Sequence, residues 1–468
     1  MVAHMNSSMN LSLSQIAKWL PESQLIGDST VVVDRVHTDS RTLQNGDLFV
    51  ALKGEKFDAH AFLNQAKQDG ARAAIAHKGL KEAQLSGLEV KDSKNALGLL
   101  AQSWRHQFQI PVVAVTGSNG KTTVTQMTGH IFKIWAGNAA LVTEGNFNNE
   151  IGVPLTLMRM RSSHTCAVVE LGMNHPGEIA QLARMAQPTV ALVNNAQREH
   201  QEFMQSVQAV AIENACVIEA SPANGVAVFP SDDEFTPLWK KITGQRTSIC
   251  FGKGGEVQLI SADWRVDHWQ VEIQTPAGRV KTQLKIAGLH NVNNAMAALA
   301  SACAAQAPLQ AMIDGLASFE PVKGRSRAVA LQYQQQSKTL IDDTYNANPD
   351  SVIAAIDVLK QLPAPHLLVL GDMGEVGEQG PAFHQEIGSY AFKNGIEHVY
   401  TLGLLSKHTH STCSHSIHWD EIDALNQAAI QLLPEVNSIL VKGSRFMKME
   451  RVVQAIEQAT QNKEPTCC

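Results

Sequence analysis

Short apolar runs separated by helix-length segments recur along the chain, and their spacing changes character three times. Residues 30–36 and 48–52 are apolar runs set between charged turns, which predicts a small α/β unit up to about residue 91. From Ser93, the spacing of Leu97, Leu100 and Trp104 predicts a helix that leads through Pro111 into a strand. Runs at 112–115, 167–171, 190–193 and 226–229 then follow at intervals long enough for helices. Strands buried on both faces read as unbroken apolar runs, so a parallel sheet covered by helices on both sides is expected. Between Thr247 and Ile286 the period becomes two, at Val280, Thr282, Leu284 and Ile286, after a Pro276-Ala277-Gly278 turn. This predicts a small antiparallel insertion. Beyond Glu320-Pro321 strands are expected at 339–342, 367–370, 398–402 and 438–441. Helices should follow Asn348-Pro349, Gly380-Pro381, Asp420 and Phe446, the last with Phe446, Met449, Val453 and Ile456 on one face. The expected architecture is α/β in three domains: a small N-terminal unit (1–91), a central parallel-sheet domain (92–319) and a C-terminal Rossmann-like domain (320–468).

The length of 468 residues agrees with that division, since domains average about 150 residues. With 38 basic and 44 acidic side chains the formal charge is -6, which argues against a polybasic nucleic-acid or membrane-surface binder. Residues 287–313 carry no formal charge, but they are Ala-rich and interrupted by His290 and Pro308; they read as a buried helix and not a membrane span. Residues 1–10 lack a basic region followed by an apolar one, so no secretory signal and a cytoplasmic location are expected. The seven cysteines are odd in number and without a CxxC pair, which fits reduced thiols better than a disulfide framework or zinc ribbon.

The strongest chemical signal is Thr116-Gly117-Ser118-Asn119-Gly120-Lys121-Thr122-Thr123, between an apolar strand and an amphipathic segment with Val124, Met127 and Ile131. Glycines let backbone N–H groups converge on phosphate oxygens, and a helix N-terminus adds partial positive charge. The central domain is therefore expected to be a P-loop-type ATP site in which Lys121 reaches the β- and γ-phosphates and Thr122 ligates Mg²⁺. The longer GxxxxGK[ST] pattern would place a glycine where Val115 stands, so only the shorter GxxGKTT form is present. Glu170 closes the run at 167–170, where a carboxylate could share Mg²⁺ with Thr122. His200, in the loop after the run at 190–193, is a candidate ligand for a second metal. The cluster His408, His410, Cys413, His415 and His418 has metal-like density without fixed spacing, and is expected to be a solvated loop.

Taken together, TGSNGKTT (116–123), GNFNNEIGVP (145–154), ELGMNHPGEI (170–179), GLHNVNNAMAA (288–298), GRSR (324–327), DDTYNANPDS (342–351), GDMGEVG (371–377) and KGSRFMKME (442–450) resemble the Mur ligase family. The blocks span all three zones in order. Those at 342–351, 371–375 and 442–445 look most like the member that adds D-alanyl-D-alanine. The resemblance implies ATP-dependent joining of that dipeptide to a UDP-N-acetylmuramoyl-tripeptide in cytoplasmic peptidoglycan precursor synthesis, releasing ADP and phosphate. It implies ATP and Mg²⁺, no nucleic-acid partner, no membrane insertion and a monomer.

Residue by residue, the resemblance implies that Lys121, Glu170, His200 and Arg325 carry the chemistry, with Thr122, Glu170 and His200 as metal ligands. Gly117, Ser118, Asn119, Gly120, Lys121, Thr122 and Thr123 would cradle phosphates, Asn291 and Asn294 would face adenine, and Asp343 the ribose. Asp39-Ser40-Arg41 and Lys53 resemble the uridine-nucleotide site, with Ser40, Arg41 and Lys53 as contacts. Thr143, Asn146 and Asn149 would meet the muramoyl peptide; Asn346, Asn348, Lys442, Ser444 and Arg445 would receive the dipeptide. Helix or turn capping is the alternative that residue type alone offers for Asn291, Asn294 and Asp343.

The chain departs from the family at one informative place. The lysine that many members carbamylate to support a second Mg²⁺ is replaced by Asn214, which cannot form a carbamate; its side-chain carbonyl is a candidate oxygen instead. Within the same class, the enzyme adding the third stem residue would carry a DNPR-type motif, whereas Asn348-Pro349-Asp350-Ser351 has no arginine. A folylpolyglutamate synthase-like ligase would leave the Asp39-Ser40-Arg41 block unexplained, and a P-loop ATPase switch would leave the blocks at 290–294 and 342–346 unexplained.

Overall fold

The computed structural model of the chain describes residues 8–54, 57–198, 204, 206–265 and 268–461. Near the N-terminus a five-stranded sheet has the order β1-β5-β4-β3-β2, formed by β1 (Gln24–Ile26), β2 (Arg35–His37), β3 (Asp47–Val50), β4 (Ala73–Ala76) and β5 (Gly87–Glu89). Only the β1–β5 pair is antiparallel. Helix α1 (Ser93–Arg105) follows, its first turn capped by the Asp92 carboxylate, which accepts from the N–H groups of Lys94 and Asn95.

The central sheet is all-parallel, in the order β11-β10-β9-β6-β8-β7. Its strands are β6 (Val112–Thr116), β7 (Ala140–Val142), β8 (Cys166–Glu170), β9 (Val190–Val193), β10 (Val226–Pro230) and β11 (Thr247–Phe251). Side chains alternate between two cores. Val112 and Ala114 pack with Leu97 and Leu100 of α1 on one face. Val113 and Val115 pack on the other with Val124 and Met127 of α2 (Lys121–Ala136). Complete burial stabilises each such Val, Leu or Met side chain by about 1.5–3 kcal/mol, which makes both faces necessary to the sheet. The first strand of the expected antiparallel insertion belongs to the main sheet instead, because β11 pairs in parallel with β10 along its whole length. The insertion proper is three antiparallel strands, β12 (Gln258–Trp264), β13 (Trp269–Thr275) and β14 (Gly278–Leu284). Between the central and insertion sheets lies the Ala-rich helix α5 (Leu289–Ala304), buried along most of its length. No helix among the described residues is long and apolar enough to cross a membrane. Two further helices cover the other face, α3 (Glu178–Ala186) and α4 (Val207–Glu219).

The last sheet has the order β15-β16-β20-β17-β18-β19, from β15 (Arg327–Tyr333), β16 (Gln336–Asp343), β17 (His366–Gly371), β18 (His398–Leu402), β19 (Ser416–Trp419) and β20 (Ser438–Lys442). Apart from the β15–β16 hairpin it is parallel. Helices α6 (Pro349–Gln361), α7 (Gly380–Lys393) and α8 (Glu450–Gln461) flank it. Two expectations fail here. Phe446 lies in a separate short turn of helix and is exposed, while Met449, Val453 and Ile456 are buried. The histidine-rich segment is a short helix and an edge strand, held by His410 bonded to Ser416 and His418 bonded to Thr401.

Candidate functional site

The carboxyl ends of the central strands open onto a cleft of about 1100 Å³, closed on its far side by residues 324–326, 343, 345–348 and Lys442 of the last domain. β6 ends at Thr116, and the loop 117–120 turns into α2 through two residues of positive φ, Gly117 at 133° and Gly120 at 80°. A Cβ at Gly120 would collide with the side-chain amides of Asn294 and Asn194, so glycine is required there on both counts.

The loop is held from below by the segment after β9. The Asn195 side-chain oxygen accepts from the Asn119 N–H at 2.9 Å, and the Gln197 side chain accepts from Asn119 Nδ2 at 2.6 Å. The Ser118 hydroxyl donates to the Gln197 carbonyl, and the Gln197 N–H donates back to it at 2.9 Å. The Lys121 ammonium donates to the Ser118 carbonyl at 3.0 Å. These bonds fix the loop's shape before any ligand arrives.

Thr122 and Glu170 meet where the sequence places a metal. The Thr122 hydroxyl donates to Glu170 Oε1 at 3.0 Å, and Asn148 Nδ2 donates to the same oxygen at 2.9 Å. Glu170 is buried, and its Oε2 has no hydrogen-bond partner among the described residues. A buried anionic oxygen left open costs stability unless a cation or donor completes it. The donor set, a hydroxyl beside a carboxylate, is all oxygen and suits Mg²⁺. Above it Arg325 Nη2 donates to the Thr122 hydroxyl at 3.1 Å. The Arg325 guanidinium stacks on the Tyr345 ring at 4.0 Å, and its Nε is also buried without a partner among the described residues.

The opposite wall is paired within itself. Lys442 Nζ donates to Asp343 Oδ2 at 2.6 Å and to the Asn346 carbonyl at 2.9 Å, while Ser326 donates its N–H and its hydroxyl to Asp343 Oδ1. Burial pushes the Asp343 carboxyl up, but the Lys442 ammonium overrides this and holds it below the usual carboxylate range. Burial also lowers the His290 imidazole, against the pull of Asp343.

The other expected residues fall into three places. Asn291 and Asn294 line the cleft, yet they form a ladder: Asn294 donates to Asn291, Asn194 donates to Asn294, and Asn291 donates to the Ala287 carbonyl. Asn146 and Asn149 line the cleft too, the Asn149 oxygen also capping the turn at Ile151 and Gly152. Asn346 and Asn348 complete the far wall, with Asn348 Nδ2 donating to Asn119 Oδ1 at 2.9 Å. Thr143 and Arg445 line a second, adjoining cavity of about 530 Å³ that shares Thr122 and Arg325; the Thr143 hydroxyl also accepts from the Glu170 N–H. Ser444 is buried between loops, accepting from the Gly374 N–H and donating to the Ala347 carbonyl. Ser40, Arg41 and Lys53 sit in the N-terminal unit away from the cleft, where Arg41 forms a fork with Asp39 at 2.6 and 2.8 Å. His200 lies outside the described residues.

Asn214 does not offer its oxygen to the cleft. It is fully buried on α4, and its carbonyl accepts from the Thr116 hydroxyl at 2.7 Å. Among the described residues a metal-like group occurs only at Asp58, His60 and His77, far in sequence from this chemistry. There both His60 nitrogens are engaged, by the Asp58 carboxylate and by the His77 N–H. Sequence reading missed Asn148, Asn194, Asn195, Gln197 and Tyr345. Asn148 and Tyr345 lie within recognised blocks, and Asn194, Asn195 and Gln197 follow the run at 190–193, but an amide or phenol in a loop carries no distinctive spacing.

Comparison with known proteins adds independent information. Family models match residues 32–105 (Mur ligase family, catalytic domain), 115–302 (Mur ligase middle domain) and 324–445 (Mur ligase, glutamate ligase domain). The UDP-N-acetylmuramoyl-tripeptide--D-alanyl-D-alanine ligase of Escherichia coli is 40% identical over 456 residues, covering 96% of this chain and 99% of that protein. A crystal structure of MurF from Acinetobacter baumannii superposes with a TM-score of 0.89 at 32% identity, covering 97% of this chain and 100% of the other. MurF from Thermotoga maritima in complex with ADP gives 0.82 at 27% identity, covering 92% and 98%.

Proposed function

The chain belongs to the Mur ligase family, and from that premise we infer its reaction. It is an ATP-dependent, ADP-forming amide ligase that joins D-alanyl-D-alanine to UDP-N-acetylmuramoyl-tripeptide in peptidoglycan precursor synthesis. The observation that carries this reading is the convergence at one cleft of the phosphate loop, Glu170 with its open oxygen, and Arg325 and Asn348 from the last domain. It is supported by the ADP held by the Thermotoga relative.

The tripeptide's terminal carboxylate is a poor acyl donor. In-line attack of its oxygen on the γ-phosphorus, with ADP leaving, makes an acyl phosphate. The dipeptide amine then adds to the acyl carbon and phosphate departs. Lys121 holds the β- and γ-phosphates, the loop and the N-terminus of α2 orient them, and Arg325 neutralises charge that develops on the transferred group. Thr122 and Glu170 would hold Mg²⁺, which would supply Lewis-acid charge neutralisation there. His200 is a further candidate ligand. Asp343 binds the nucleotide's ribose, and Asn291 and Asn294 its base. Ser40, Arg41 and Lys53 anchor the uridine nucleotide in the N-terminal domain, whose limits we take as 1–91, with 92–319 for ATP and 320–468 for the closing domain. Thr143, Asn146 and Asn149 meet the muramoyl peptide, and Asn346, Lys442, Ser444 and Arg445 the dipeptide. The site is cytoplasmic, where both peptide substrates and ATP are found together, and the enzyme acts as a monomer.

The test is production of UDP-N-acetylmuramoyl-pentapeptide from tripeptide, dipeptide and ATP, with phosphate release that requires the dipeptide. ATP hydrolysis indifferent to the dipeptide would overturn the reading.

A further inference from the structure

The segment that follows β9 does two things at once. Its Asn195 and Gln197 hold Ser118 and Asn119 of the phosphate loop, and its next residue, Arg198, grips the last domain. Arg198 Nε and Nη2 donate to Asp350 Oδ1 at 2.9 and 2.6 Å, and its backbone N–H donates to Asp350 Oδ2 at 2.8 Å. The same guanidinium reaches α7, donating to Glu386 at 2.8 and 3.1 Å, and lies over the Phe383 ring at 5.6 Å. Asp350 stands in the first turn of α6, two residues after the Asn348 that donates to Asn119. The contacts therefore form a closed circuit: Asn119 to Gln197, along the chain to Arg198, across to Asp350, and back through Asn348 to Asn119.

We propose that Arg198 is a positioning residue for ligation, fastening the last domain to the central one so that Asn348 and Arg325 stay at the phosphate loop. One guanidinium separates two carboxylates from different elements. Without it, Asp350 and Glu386 remain on the last domain as unpaired like charges with no partner from the central one, and the circuit loses the link that closes it. The planar fork matters as well as the charge. A lysine ammonium at this position satisfies one carboxylate and leaves the other bare. The side chains at the clasp are only part-exposed, 27% for Arg198 and 23% for Asp350, so solvent screens it less than a surface pair.

The experiment compares Arg198→Ala, Arg198→Lys and Glu386→Gln with the wild-type chain in two readouts. The first is steady-state ligation, and this arm rests on the ligase reading. Arg198→Ala lowers kcat by about 10- to 100-fold, with the KM for the UDP-tripeptide within about twofold because the N-terminal domain is untouched. Arg198→Lys recovers part of the loss, and Glu386→Gln shows a smaller one. The second readout is small-angle scattering with a non-hydrolysable ATP analogue, in which the Ala variant is more extended than wild type. That arm stands without the ligase reading, so a wild-type chain that makes no pentapeptide yet compacts more than Arg198→Ala would sink the reading and leave the clasp in place. Turnover within twofold of wild type together with identical scattering overturns the proposal. Should Arg198→Ala fail to fold, Glu386→Gln decides, and wild-type values in both readouts overturn it.

Discussion

The two walls of the cleft keep their charges in opposite ways. On the central wall, Glu170 is buried with one oxygen open among the described residues, and the phosphate loop is braced by the amides of Asn195 and Gln197. On the last domain, Asp343 is already matched by Lys442 and Ser326, and Asp342 by Thr344 and the Gly324 N–H. Arg325, with its open Nε, is the exception. The difference fits what each wall must do. A wall that receives a cation and phosphates gains by holding unsatisfied groups in fixed positions. A wall contributed by a separate domain keeps no bare buried charge of its own when it pairs its charges internally.

Breaking the central wall should therefore abolish chemistry, and breaking the other should first cost stability. Lys121→Ala is expected to lower kcat/KM by about 1000-fold, the scale for losing one dedicated phosphate-charge stabiliser. Its unfolding midpoint should stay close to wild type, since the ammonium is not part of a core. Glu170→Gln should slow turnover by about 100-fold, with part of the rate returning as Mg²⁺ is raised. Near-normal kinetics would remove Glu170 from the site. Asp343→Asn leaves Lys442 buried without its counter-charge, and is expected to lower unfolding free energy by about 3 kcal/mol in urea titration. A stability unchanged within error would mean that the pairing on this wall is not structural.

A further effect, gradual rather than abrupt, concerns pH. His384 is fully buried in the last domain, its Nε2 accepting from the Met373 N–H and its Nδ1 bonded to the Thr409 hydroxyl. Burial lowers its imidazole to about 4 from the ordinary 6.5, with Asp372 opposing. The unfolded chain takes up a proton below pH 6.5 and the folded chain does not, so stability falls as pH drops from about 6.5 toward 4, by roughly 3 kcal/mol at most. Asp343, held below the carboxylate range, loses its contribution only at lower pH, which separates the two windows. His384→Gln should flatten the upper window in denaturant titrations at stepped pH; an unchanged slope would show that another group titrates there.

The contrast between the walls also marks what the sequence could disclose. The phosphate loop is a contiguous block whose glycines have a backbone reason, and the apolar runs before it announce a strand buried on both faces, so the loop, Lys121, Thr122 and Glu170 were all legible. β11 was misread because Thr247–Phe251 is short and adjoins a region of period two; only its pairing with β10 reveals its sheet. The Asp343–Lys442 pair joins residues 99 positions apart, and Arg198 reaches Asp350 across 152. No local pattern encodes such partners. Phe446 shared the spacing of the last helix, but Lys448, with φ of 51°, ends the preceding turn before α8 starts. Asn214 could be seen as a departure from the family, while its bond to Thr116 required the fold.

The most direct measurement follows oxygen. UDP-tripeptide labelled with ¹⁸O in its terminal carboxylate is ligated to D-alanyl-D-alanine, and the phosphate released is analysed by mass. Formation of an acyl phosphate at this cleft predicts that each phosphate carries one labelled oxygen from the carboxylate; label absent from phosphate while pentapeptide accumulates would contradict it.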